Sequence, residues 1–306
     1  MQKRILITGG TGFIGSHLAE KLSMDNDVTV YDNFSEGKME FIEGVKCKVV
    51  KADILDFKKL KETMKNIDEC YHLAADPSVK NSYVMPIKNF EQDCVGTLNV
   101  LEACRQNDVK TFVFSSSSVV YGVAKMPTPE DELIKPISNY GAAKAASENY
   151  IMSYSHLYGI KGTILRYANI IGPRSTHGIC YDFYNKLKAN PKEIEILGDG
   201  TQKKSYLHVK DCVDASILAK DHVKEGCEIF NVGSEEQISV KEITDVIVDS
   251  LGLNNVKYKY MGGKAGWPGD VPQMLLAINK LKKIGWKPKF TIKESIIDTI
   301  NYLHNN

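Results

Sequence analysis

Over the first 170 residues, short apolar runs rich in β-branched side chains alternate with longer stretches whose apolar positions recur at helical spacing. "RILITG", "DVTVYD", "ECYHLAA", "KTFVFSSS" and "KGTILRYANI" are predicted strands; "GSHLAEKLSM", "KKLKETMK", "GTLNVLEACRQN" and a long segment over 140–158 are predicted helices. Strands that read as apolar runs separated by helices belong to a parallel sheet covered on both faces. From 171 to about 204 the pattern loosens into Gly, Pro and charge, with one helical stretch, "YDFYNKLKAN", and a turn at "GDG". "EIFNVG" returns to strand, "SVKEITDVIVDSLG" is an amphipathic helix, and "IKESIIDTINYL" is a terminal one. The prediction is an α/β chain with a Rossmann-type doubly wound parallel sheet and a smaller, discontinuous C-terminal α/β domain.

Composition narrows the function. With 306 residues and 43% hydrophobic content the chain can bury one large core or two unequal ones. Lys+Arg is 39 against Asp+Glu 38, so no overall positive field draws it to nucleic acid or an anionic membrane. "MQKRILITGG" runs straight into a strand, unlike a signal peptide, and no apolar run is long enough for a membrane span, so a cytoplasmic protein is expected. The seven cysteines are scattered without CxxC and read as reduced thiols, and the seven histidines form no HExxH, so no metal is expected. Only four arginines, Arg4, Arg105, Arg166 and Arg174, are available to clamp a phosphate bidentately.

Candidate chemistry lies at the predicted strand ends. "ITGGTGFIGSHLAEKL" puts Gly9, Gly12 and Gly15 where the first strand turns into the first helix, so that the backbone and the amides of Phe13, Ile14 and Gly15 can meet a pyrophosphate. Asp32, followed by Asn33, ends the second strand, where a carboxylate accepts from ribose hydroxyls and repels a 2′-phosphate; NAD is expected over NADP. Asp53 and Ile54 offer a polar and apolar pair for an adenine edge, and Leu73, Ala74 and Ala75 are small enough for a cofactor to pass closely. His72, inside an apolar strand, reads as a packed histidine. Tyr140 and Lys144 share a helix face, where the ammonium, together with the positive nicotinamide of oxidised NAD, is expected to favour the phenolate. Ser115, Ser116, Ser117 and Ser118 emerge at the carboxyl end of a strand, where open α/β sheets bind ligands.

These residues resemble the extended short-chain dehydrogenase/reductase family, and within it the nucleotide-sugar epimerases and dehydratases. The resemblance covers essentially the whole chain, through "TGGTGFIG", "GTLNVLEA", "SSSSVVYG", "NYGAAKAASE", "RYANIIGPR", "GDGTQKKSYLHVKDCVDA" and "GWPGDVP". It implies an NAD-binding domain over 1–170 with a return segment near 206–233, and a nucleotide-sugar domain over 171–205 and 234–306. It implies Tyr140 as catalytic base, Lys144 as its orienting and ribose-binding partner, Ser117 as the third catalytic residue, and Tyr167 as a cofactor contact. Ser118, Asn169, Arg174 and Lys204 are implied as substrate ligands.

The departures from the family's pattern carry information. Members that eliminate water place Asp-Glu after the catalytic hydroxyl, and decarboxylases keep the glutamate; here Ser118 and Val119 follow Ser117, and neither carries protons to or from carbon. Lys204 and Trp267 stand where many members have diphosphate-binding arginines, Asp93 where relatives carry an asparagine near the nicotinamide ribose, and Pro77 where some carry a lysine that Lys80 does not obviously replace. The resemblance thus implies a UDP-hexose 4-epimerase, interconverting UDP-glucose and UDP-galactose. The alternatives are a 4-epimerase of a UDP-N-acetylhexosamine or UDP-uronic acid, a 4-ketoreductase or dehydrogenase, and a non-catalytic NAD-binding regulatory protein. In relatives the helices equivalent to "GTLNVLEACRQ" and "NYGAAKAASENYIMSY" pair two subunits, so a homodimer is expected, against a buried intrachain face.

Overall fold

The computed structural model describes residues 2–263 and 271–306. Its centre is a seven-stranded sheet, parallel throughout, built from β1 (Arg4–Thr8), β2 (Asp27–Asp32), β3 (Cys47–Lys51), β4 (Glu69–His72), β5 (Thr111–Ser117), β6 (Lys161–Tyr167) and, after an excursion, β11 (Cys227–Val232). The strand order is β11-β6-β5-β4-β1-β2-β3. The chain moves outward from β1 to β3 and then crosses back to place β4 beside β1. A crevice opens above the carboxyl ends of those two strands, which is where doubly wound sheets bind ligands.

Alternating strand residues feed two cores. Ile5, Ile7, Val28, Val30 and Val113 pack with Leu18 and Ala19 of α1 (Phe13–Leu22) and with Ala215 and Ala219 of a later helix. Leu6, Cys70, Phe112, Phe114 and Ile164 pack on the opposite face with Leu60 of α2 (Phe57–Thr63) and with Val100 and Leu101 from the segment before β5. That segment is α3 (Val79–Val84), α4 (Pro86–Phe90), a π-helical turn over Glu91–Val95, and α5 (Gly96–Gln106). Between β5 and β6 runs α6 (Asn139–Tyr158), which starts at Ser138, whose hydroxyl accepts from the Gly141 amide, and stops at Gly159 in the left-handed region.

The smaller C-terminal part has its own core. β7 (Asn169–Ile171), α7 (Ile179–Ala189), β8 (Glu193–Ile196), β9 (Lys203–Lys204) and β10 (Tyr206–His208) lead into α8 (Val209–His222), which returns the chain to the central sheet. After β11 come β12 (Ile238–Ser239), α9 (Val240–Ser250), β13 (Lys257–Tyr260), β14 (Gln273–Met274), α10 (Asn279–Lys283) and α11 (Ile292–Asn305). Phe183 and Leu187 of α7, Ile243 and Ile247 of α9 and Ile296 and Ile300 of α11 form a third buried cluster. Both α9 and α11 begin with capping boxes, Ser239 with Glu242 and Thr291 with Glu294.

Two sheet-related elements escape the periodicity reading. β3 alternates lysines with half-buried residues at the sheet edge, so it lacks an apolar run; α8 spreads polar residues through an otherwise buried helix. Among the described residues no helix is long and apolar enough to cross a membrane, and no cluster of His, Cys, Asp or Glu could hold a metal.

Candidate active site

The turn from β1 to α1 is built on close backbone approach. Gly9 has φ +71°, and a Cβ there would lie 2.6 Å from the Ala74 nitrogen; a Cβ on Gly15 would lie 2.1 Å from the Gly9 carbonyl oxygen. Only glycine fits either place. α1 starts at Gly12 with no side-chain cap and no acidic residue in its first turn, so the amides of Phe13, Ile14 and Gly15 and the positive end of the helix are left for an anion. Thr11 Oγ1 is buried beside this turn without a hydrogen-bond partner in the protein.

Asp32 closes the floor of the crevice. Its Oδ2 accepts from the Thr11 amide at 3.0 Å and its Oδ1 from the Phe34 amide at 2.9 Å, which leaves each oxygen a further lone pair. Asn33 donates to Asp53 Oδ2 at 2.8 Å, and Asp53 Oδ1 accepts from the Leu55 amide. Ile54 is buried against Gly96 of α5. Leu73 and Ala74 lead away from β4, their amides on the carbonyl and hydroxyl of Thr8, with Ala75 following. The glycine turn, the uncapped helix end and the acidic strand end suit a dinucleotide.

The serines of β5 and the first two turns of α6 meet across the sheet end. Lys144, 1% exposed, donates from Nζ to the Ser115 carbonyl at 2.9 Å, and Nζ lies 4.7 Å from the Phe114 ring centroid and 5.7 Å from that of Tyr140. The Tyr140 phenol lies within electrostatic reach of Ser117, whose hydroxyl accepts from the Val119 amide at 3.4 Å. Ser118, buried, opens the following 3-10 turn. Burial raises the Tyr140 pKa above the ordinary tyrosine value, the carboxylates of Asp93 and Asp76 raise it further, and Ser117 opposes them. Among the protein's own groups burial dominates, and the Lys144 ammonium donates to a backbone carbonyl; the expected depression calls on the nicotinamide charge as well.

His72 is a packed residue. Thr97 gives its hydroxyl proton to the Asp93 carbonyl, so the 2.9 Å contact between His72 Nε2 and Thr97 places the imidazole proton on Nε2, and Nδ1 accepts from Thr8 at 2.6 Å. Burial pushes the His72 pKa down to about 3.

Two of the expected ligand contacts have partners within the protein. Arg174 has φ +68°, and its Nη2 donates to Glu20 of α1 at 2.7 Å, while His17 of α1 bonds the neighbouring Pro173 carbonyl; the segment is stitched to the outer half of α1. The Tyr167 hydroxyl is paired with Ser216 of α8 inside the core, so this side chain is used for packing. Asn169 Nδ2 donates to the carbonyl of Ser205, the residue after Lys204, at 3.1 Å. Trp267, with the first five residues of the "GWPGDVP" motif, lies outside the described residues. Lys80 of α3 acts electrostatically on Asp182 of α7.

Sequence reasoning missed a buried network beneath the serines. Glu148 lies on α6 one turn beyond Lys144 and accepts from Ser116 and from Arg166 of β6. A lone arginine in the apolar run "TILRY", and a glutamate at the same helical spacing as Tyr140 and Lys144, were the available signals.

A sequence profile of the NAD dependent epimerase/dehydratase family matches residues 5–233. The chain belongs to that family. It is similar to a crystallised UDP-galactose 4-epimerase, with 40% identity and a TM-score of 0.90 over 99% of both chains. It is also similar to a Thermus thermophilus UDP-glucose 4-epimerase solved with NAD (34% identity, TM-score 0.88, 98% of this chain and 99% of that one). A UDP-N-acetylglucosamine 4-epimerase of Methanobrevibacter ruminantium, in complex with UDP-N-acetylmuramic acid, matches at 33% identity and a TM-score of 0.91 over 99% of both chains. The chain is thus an NAD-dependent nucleotide-sugar epimerase/dehydratase at the level of its family.

Proposed function

We propose that this family member is a UDP-hexose 4-epimerase that interconverts UDP-glucose and UDP-galactose. The observation that carries the reading is the convergence of Tyr140 and Lys144 of α6 on the serine end of β5, with Ser118 and Val119 standing where elimination needs carbon acid–base groups. Likeness to the two UDP-hexose 4-epimerases supports the substrate class.

Gly9, Gly12, the Phe13–Gly15 amides and Asp32 would hold NAD. The chemistry NAD supplies when bound is reversible hydride acceptance at the nicotinamide ring, together with that ring's positive charge. Ser117 and Tyr140 hold the C4 oxygen of the sugar between them, and Tyr140 takes the C4 hydroxyl proton as the 4-keto sugar forms. After the sugar turns over, Tyr140 gives the proton back to the same oxygen. Because burial and nearby carboxylates raise the phenol pKa, Tyr140 needs a positive charge within the site before it accepts a proton at neutral pH. Lys204 and Asn169, whose side chain donates to the carbonyl of the residue after Lys204, are proposed to bind the nucleotide-sugar diphosphate and sugar, with Lys204 acting as a point charge. A pure binding module needs no phenol brought together with a serine hydroxyl.

A second reading, 4-epimerisation of a UDP-N-acetylhexosamine, draws support from the Methanobrevibacter enzyme. We also propose that the protein is a homodimer. Tyr83, Val84, Ile87 and Phe90 of α3 and α4 are each more than half exposed, and Tyr150, Leu157 and Tyr158 of α6 expose further apolar surface. α5 itself packs inward against α2 and α6, so the apolar exposure lies on α3 and α4 instead.

Anaerobic incubation with NAD and either UDP-galactose or UDP-N-acetylgalactosamine, with chromatographic separation of sugars and cofactor, tests the reading. UDP-glucose at equilibrium without accumulated NADH or free keto sugar is expected. Conversion of the acetylated sugar alone selects the second reading, and stoichiometric NADH release selects a dehydrogenase.

A further inference from the structure

Ser115, Ser116 and Ser117 follow one another at the end of β5, and alternate residues of a strand face opposite ways, so the Ser116 side chain is directed away from the side that carries its two neighbours. The parallel register pairs Ser116 with Arg166 of β6, which puts both on one face of the sheet. Glu148 of α6 meets them there. Its Oε1 accepts from the Ser116 hydroxyl and from Arg166 Nε at 3.0 Å, and its Oε2 from Arg166 Nη2 at 2.6 Å. All three side chains are buried.

The carboxylate is held so that it cannot turn from Ser116. Arg166 bonds both of its oxygens, and the remaining arm of the guanidinium, Nη1, donates to the Tyr121 hydroxyl at 2.7 Å and to the Glu130 carbonyl at 3.0 Å. The pair is a fixed post, and the Ser116 hydroxyl ties the end of β5 to it. On α6, Glu148 follows Lys144 by four residues and Tyr140 by eight, so the post stands on the same helix face as those two. The peptide unit before Ser116 carries the carbonyl that accepts from Lys144 Nζ at 2.9 Å, and the residue after it is Ser117. Because each peptide unit is planar, anchoring Ser116 to α6 restrains the carbonyl on one side of it and the hydroxyl-bearing residue on the other.

We propose that Ser116 is a positioning residue: its hydrogen bond to Glu148 sets the end of β5 against α6, so that the Ser115 carbonyl stays on the Lys144 ammonium and Ser117 stays opposite Tyr140. The proposal rests on reading Ser117, Tyr140 and Lys144 as the reactive residues. Ser116 acts through its neighbours and not on the sugar or the cofactor. In Ser116→Ala, Glu148 Oε1 keeps its bond from Arg166, so no buried charge is left alone and the fold persists. What is lost is the placement of the reacting groups, and a small misplacement slows the chemical step without weakening ground-state binding.

The test compares wild type, Ser116→Ala and Ser116→Thr as full-length protein with NAD and UDP-galactose. In Ser116→Ala, kcat is expected to fall by at least about tenfold, with KM for the sugar nucleotide and NAD affinity by calorimetry within about twofold of wild type. Ser116→Thr keeps the hydroxyl and should recover most of the loss. An unchanged kcat, a loss of NAD affinity matching the loss of kcat, or an equal loss in both variants overturns the proposal. A second readout needs no turnover: the 15Nζ resonance of Lys144, assigned by its absence in Lys144→Arg, reports how fast the ammonium protons exchange with solvent. Ser116→Ala is expected to speed that exchange by at least about tenfold as the Ser115 carbonyl loosens, and an unchanged rate overturns the proposal. A wild type that turns over no nucleotide sugar, while Lys144 exchange is still faster in Ser116→Ala, removes the epimerase reading and leaves the positioning role standing.

Discussion

Arg166 and Glu148 form an ion pair in which the guanidinium is 2% exposed and the carboxylate not at all, with Nη2 2.6 Å from Oε2. The pair ties β6 to α6 directly beneath the reactive residues. Glu148 also accepts from Ser116, the residue between the Ser115 carbonyl that holds Lys144 and Ser117, which lies within electrostatic reach of Tyr140. From Arg166 the network continues through Nη1 to Tyr121, and from Tyr121 to Asn231 of β11 at 2.8 Å, so β5, β6, β11 and α6 share one buried polar anchor.

Glu148→Gln leaves a buried guanidinium without its counter-charge. We expect a stability loss of about 3–5 kcal/mol in denaturant unfolding, and recovery of most of it in the double variant Glu148→Gln with Arg166→Met. Equal instability of the single and double variants would show that uncompensated charge is not the cause.

Tyr140→Phe removes the phenol and preserves the ring against which Lys144 sits. Turnover should fall by about 10²–10⁴-fold, with NAD affinity measured by calorimetry nearly unchanged. Activity surviving in this variant would remove Tyr140 from the mechanism.

A methyl group on Gly15 points at the Gly9 carbonyl, and neither backbone can retreat without opening the turn held against Ala74. Gly15→Ala should therefore cost about 1–3 kcal/mol in stability and weaken NAD binding more than nucleotide-sugar binding. Titration of each ligand against the purified variant separates the two effects.

His72, lowered to about 3, and His17, lowered to about 4, both because burial disfavours the imidazolium, take up protons in the unfolded chain before the folded one. The unfolded state binds more protons below about pH 6.5, so stability declines as pH falls from there, with His72 accounting for about 3 kcal/mol by about pH 4. Asp93, whose pKa is raised, acts with the opposite sign between its ordinary value and about 6. His72→Asn should flatten the fall in unfolding free energy between about pH 6.5 and 4, and an unchanged slope would place the proton uptake elsewhere.

If α3 and α4 form a subunit contact, Ile87→Asp with Phe90→Asp should shift the sedimenting species from dimer to monomer and leave the far-UV spectrum unchanged. A wild-type chain that sediments as a monomer removes the premise.

The alternation of strand and helix, the glycine turn and the spacing of Tyr140 and Lys144 were readable along the chain because each depends on residues within one element or across one tight turn. The exceptions were local as well: β3 hides its strand among lysines at a sheet edge, and α8 hides its helix among buried polar residues. Tertiary structure alone decided which polar groups answer each other. Arg174 donates from Nη2 to Glu20, 154 residues away, Tyr167 pairs with Ser216, and Arg166 with Glu148, and these pairings distinguish side chains that look equivalent in sequence. The physical reason is that the cost of burying a polar or charged group depends on everything packed around it.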